Sequence, residues 1–84
     1  MAFYQILYWQ DIPSQIKAWD DLEETNVELG SRFTSLIDQT AQARGLTGTD
    51  DYLAQWRWGE ELEREGSAQE VARAIQKELE AGRL

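Results

Sequence analysis

The sequence predicts an α+β domain in two layers, a three-stranded antiparallel or mixed sheet with two helices on one face, and three observations predict it. The run Phe3-Tyr4-Gln5-Ile6-Leu7-Tyr8-Trp9 is apolar on both sides. Ser67-Ala68-Gln69-Glu70 has the spacing of a capping box and opens an amphipathic stripe. Between these two segments, stretches with the strand period alternate with stretches of the helix period. The 84 residues are read as a single domain, 1–84.

Bulky and branched side chains suit a pleated surface, so residues 3–9 are the first predicted strand. Odd positions place Phe3, Leu7 and Trp9 on one side; even positions place Tyr4, Ile6 and Tyr8 on the other. A strand apolar on both faces belongs in the middle of a sheet. Gln10-Asp11-Ile12-Pro13-Ser14 is read as a turn, because Pro13 fixes φ and Asp11 and Ser14 can bond nearby backbone. Gln15–Asp20 alternates as a second strand and completes a hairpin. The acidic run Asp20-Asp21-Leu22-Glu23-Glu24 then leads away from the sheet as a solvated loop.

Ser31 is the expected cap of the first helix, whose apolar side is set by Phe33, Leu36, Ile37 and Ala41. Gly45 ends it in a left-handed conformation, with Leu46 folding back on the last turn. Thr49 or Asp50 caps a short helical turn through Tyr52 and Leu53, and Trp56–Leu62 resumes alternation as the third strand. The second helix follows Ser67 with Val71, Ala74, Ile75, Glu78 and Leu79 on one stripe, and stops before Gly82. The order strand, strand, helix, strand, helix, closed by a right-handed crossover, puts the first strand between the second and the third and antiparallel to both.

Two helices cover one face of such a sheet. Alternation places Tyr4, Ile6, Tyr8, Ile16, Trp56, Trp58 and Leu62 beneath them and turns Gln5, Leu7, Trp9, Lys17, Trp19 and Arg57 outward. A one-residue slip would invert the assignment. The expected partner-binding surface is therefore Leu7, Trp9, Lys17, Trp19 and Arg57, an apolar patch rimmed by cations. Two other readings stand beside it: the rings pack under a loop as core, since a small domain recruits every large side chain, or they stack on a flat ligand.

Composition narrows the chemistry. Without histidine or cysteine there is no imidazole base, no thiolate and no nitrogen metal ligand of the usual kind. The carboxylates match no calcium loop, and Gly45-Leu46-Thr47-Gly48-Thr49 lacks the lysine of a phosphate loop. The chain is thus expected to be no enzyme, with no cofactor and no metal. A net charge of −8 repels phosphate backbones and anionic lipid, which leaves a protein partner in preference to nucleic acid or membrane. No stretch has the composition of a signal segment or membrane span, so a cytoplasmic location is expected, with the protein a monomer or weak homodimer. The alternative function is a small molecule or cation held in a carboxylate-lined cleft between the sheet and the Asp20–Glu24 loop.

Tyr8-Trp9-Gln10-Asp11-Ile12-Pro13, Trp56-Arg57-Trp58-Gly59-Glu60-Glu61 and Gly66-Ser67-Ala68-Gln69-Glu70-Val71-Ala72 together resemble a small bacterial domain family called conserved virulence factor, or virulence factor. The resemblance spans nearly the whole chain. It implies no reaction and no catalytic residue, so Trp9, Asp11, Pro13, Trp56, Trp58 and Gly59 enter as motif positions only. In some bacteria the family's domain is joined to helical-repeat and scaffold-like domains, and the resemblance on that account implies an interaction role.

Overall fold

A computed structural model describes residues 1–82. Five strands and three helices follow in the order β1 (Ala2–Trp9), β2 (Ile12–Trp19), β3 (Glu24–Glu28), α1 (Ser31–Ala43), α2 (Asp50–Ala54), β4 (Trp56–Trp58), β5 (Leu62–Arg64) and α3 (Ala68–Glu80). The class is α+β with an antiparallel sheet, but the expected three strands and two helices are corrected to five and three. β1 has β2 on one edge and β4 and β5 in succession along the other, and β3 extends the sheet beyond β2.

The acidic run does not leave the sheet. Asp21 and Leu22 form the tip of a tight hairpin closed by the Asp20 amide on the Glu23 carbonyl at 2.9 Å, and Glu24 already begins β3. In Glu24-Thr25-Asn26-Val27-Glu28 the β-branched Thr25 and Val27 face the core and the polar residues face out, an alternation that outweighs local charge repulsion. The turn between β1 and β2 is likewise shorter than expected. It contains only Gln10 and Asp11, with Gln10 at φ +53°, and Pro13 lies within β2 beside a bulge that opposes Leu7–Tyr8.

Gly30, rather than Ser31, is the N-cap of α1, and it makes no side-chain capping bond. The Gly30 amide instead donates to Glu80 Oε1 at 3.1 Å, tying the start of α1 to the end of α3. At the other end the amides of Gly45 and Leu46 donate to the carbonyls of Gln42 and Ala41, and Gly45 sits at φ +68°. Thr49 caps α2 by accepting from the Tyr52 amide. The Ser67–Glu70 capping box of α3 is complete in both directions.

Two buried clusters result. Under α3, Ala2, Ile6, Ile16, Ala18 and Leu29 meet Ala68, Val71, Ala72, Ile75 and Leu79, with Tyr4, Tyr8, Val27 and Phe33 at the margin. At the hairpin end of the sheet a second cluster joins Trp9 to Ile37 and Ala41 of α1, with Ile12, Leu46, Tyr52 and Trp56 packed around it. The helices therefore do not act on one face alone: α3 covers the even side of β1, whereas α1 and α2 close over Trp9 on its odd side. Arg64 of β5 bonds Glu78 of α3 at 2.5 Å and helps to clamp the sheet to the helix.

Candidate interaction surface

The register of the sheet decides which side chains share a face. Leu7 lies opposite both Gln15 and Trp58, Gln5 opposite Lys17, and Phe3 opposite both Trp19 and Glu63. These residues point away from α3, because directly opposed residues in an antiparallel pair lie on the same side. Phe3 and Trp58 are 36% and 44% exposed, and Leu7, Lys17 and Trp19 are half-buried. None of Phe3, Leu7, Trp19 or Trp58 packs into either buried cluster. Phe3 stacks on Trp19 with ring centroids 6.0 Å apart, and Lys17 Nζ lies 5.6 Å from the Trp19 ring and 3.2 Å from Glu24 Oε1. The surface thus has two apolar pairs, Phe3–Trp19 and Leu7–Trp58, separated by Gln5 and Lys17.

Leu7, Lys17 and Trp19 are on this face, as expected from alternation. Trp9 and Arg57 are corrections. Trp9 is fully buried, its indole N–H donates to the Tyr52 carbonyl at 2.9 Å, and the Tyr52 ring lies 5.5 Å from it. Tyr52 in turn meets Trp56 edge-on at 6.3 Å. Arg57 pairs with Tyr8 and so lies on the opposite side, its guanidinium 4.9 Å from the Tyr8 ring and 3.8 Å from Asp11. Trp56 and Trp58, expected under the helices, share the face of Trp9 and Leu7. The interruption at Gly59–Glu61 changes the phase of alternation, so that Leu62 falls opposite Tyr4 while Trp58 falls opposite Leu7. Phe3 and Trp58 are the residues that sequence reasoning missed: the odd positions of residues 3–9 already set Phe3 beside Leu7, and the Gly59 break was the signal for Trp58.

The turn between β2 and β3 forms a depression of about 450 Å³ against Lys17 and Trp19. Asp20 is already committed within it: Oδ1 accepts from the amides of Leu22 and Glu23 at 2.8 Å each, and Oδ2 from the amide of Ala68 at 3.0 Å. The amides of Leu22, Ala68 and Glu23 hold the Asp20 carboxyl below its ordinary pKa. Among the described residues no three acidic side chains converge to hold a metal ion. No helix among them is long and apolar enough to cross a membrane.

Fold and surface together define a small acidic sheet domain with a partly apolar, uncovered face. The chain belongs to the family described as Virulence factor, whose profile matches residues 7–82. No curated protein and no solved structure shows significant similarity to it.

Proposed function

We propose that this domain is a non-catalytic interaction module of the cytoplasm, holding a protein partner on the sheet face around Phe3, Leu7, Lys17, Trp19 and Trp58. The observation that carries the reading is the pair of apolar couples left uncovered by the helices, Phe3–Trp19 and Leu7–Trp58. Aromatic side chains that are partly exposed and held rigidly by a sheet are good anchors, because little rotamer freedom is lost when they are covered. Glu24 and Glu63 flank the face, and with a net charge of −8 they favour a partner with an apolar centre and a basic rim over nucleic acid or anionic lipid.

A cation or small molecule in the depression beside Asp20 has less to support it, since that carboxylate already serves three backbone amides. The test uses Trp58→Ala combined with Phe3→Ala, two exposed positions whose loss spares both cores. Circular dichroism should report an intact fold, and partners co-purified from the native cell with the wild-type chain should be lost. Recovery of the same partners by the folded double variant would refute the proposal.

A further inference from the structure

We infer that the outer edge of β3 is a strand-addition site for an extended, basic segment of a partner protein. The inference rests on the reading of the domain as an interaction module, but it concerns the sheet's edge instead of its face. The two bonds that bracket the β2–β3 ladder, Asp20 N–H to Glu23 O at 2.9 Å and Leu29 N–H to Ser14 O at 3.0 Å, fix its phase. In an antiparallel pair, hydrogen-bonded and non-hydrogen-bonded positions alternate. With Ile16 opposite Val27 and Ala18 opposite Thr25, the backbone groups of Thr25 and Val27 turn inward to β2. Those of Glu24, Asn26 and Glu28 turn outward. Among the described residues only the Glu28 carbonyl has a partner there, a long bond from Gln76 Nε2 at 3.4 Å. Among the described residues no strand pairs with this edge.

An unpaired edge is a template for another strand, and its side chains choose which one. The opposite edge of the sheet is interrupted between β4 and β5, whereas β3 runs unbroken through five residues. Two copies of β3 paired antiparallel about Asn26 would set Glu24 of each against Glu28 of the other, which like-charge repulsion disfavours. A second copy is therefore the wrong occupant. A strand with lysine or arginine at alternate positions fits, because its cations would lie beside Glu24 and Glu28 while its backbone completes the ladder.

The test is amide hydrogen exchange followed by NMR on the full chain, with two end-blocked synthetic peptides as probes, one alternating lysine with valine and one alternating glutamate with valine. The lysine peptide should slow exchange at Glu24, Asn26 and Glu28 by about tenfold or more while leaving Thr25 and Val27 as they were, and the glutamate peptide should do neither. Asn26→Pro removes an outward amide without touching the bonds to β2, so it should keep the fold and lose the effect. Should that variant unfold, methylating alternate amides of the lysine peptide removes the same bonds from the other side and should abolish the protection. Glu24→Lys with Glu28→Lys should reverse the preference between peptides. No slowing at the three amides with the lysine peptide at about 1 mM, or equal slowing by both peptides, would overturn the inference. If the lysine peptide perturbs Phe3, Leu7 and Trp58 while the edge amides are unchanged, strand addition fails and the sheet-face reading survives. Edge protection that persists in Trp58→Ala supports the edge independently of the face.

Discussion

At the scale of single residues, Trp9 shows how burial and a hydrogen bond assign a role that sequence alone leaves open. Its ring fills the second cluster, so Trp9→Ala should destabilise the domain by about 3–5 kcal/mol, measured by urea unfolding. Trp9→Phe leaves the Tyr52 carbonyl with the longer bond from the Gln55 amide at 3.3 Å, but it removes the indole N–H donor and part of the ring, for an expected loss of about 1–2 kcal/mol. A wild-type midpoint for either variant would mean that the indole is not core. Gly59 matters for closeness of approach. A Cβ there would lie 2.9 Å from Tyr8 Cε2 and 3.3 Å from the Ile6 carbonyl, while the Gly59 amide bonds that same carbonyl at 2.8 Å. Gly59→Ala must push the ring aside or lengthen the bond, and should lower stability by about 1–3 kcal/mol. Gln10 gives the opposite sign. It holds φ +53° in the β1–β2 turn, a region costly for a residue with a Cβ, and Gln10→Gly should raise the unfolding midpoint by the equivalent of about 0.5–1 kcal/mol.

At the scale of elements, Asp20 joins the β2–β3 turn to the first turn of α3 through a single carboxylate. Its three amide donors stabilise the charged form, and its folded pKa lies below the ordinary value of 3.8. A depressed pKa contributes stability that is present above the unfolded value and lost as pH falls through the folded one. Asp20→Asn should therefore melt at a lower temperature than wild type near neutral pH, and the gap should narrow as the pH is taken below about 3.8. A gap that stays constant with pH would show that shape, not charge, makes the contact. The capping box of α3, the Gly45 stop of α1 and the strand character of residues 3–9 were legible because each depends on neighbours in the chain. β3 was not, since the density of charge in Asp20–Glu24 hides an alternation whose meaning comes only from α3 lying over Thr25 and Val27. Ser31 misled for a similar reason: the amide at the start of α1 is satisfied by Glu80, fifty residues away.

At the scale of the whole molecule, the surface was partly legible and the second core was not. Alternation placed Leu7, Lys17 and Trp19 together, but nothing local announces that Tyr52 and α1 will close over Trp9, or that the break at Gly59 will carry Trp58 to the open face. The domain is elongated, 41 × 24 × 16 Å, with one buried cluster under α3 and the other at the hairpin end. β1 belongs to both, through Ile6 in the first and Trp9 in the second, and α1 spans them with Phe33 in one and Ile37 in the other. Losing either cluster withdraws a wall of its neighbour, so the two should unfold as one unit. Far-UV circular dichroism and tryptophan emission should give coincident urea transitions, and Trp9→Phe should shift both midpoints equally although α3 lies in the other cluster. Separate midpoints would show that β1 does not couple the two ends, and that the hairpin end opens while the sheet beneath α3 stays folded.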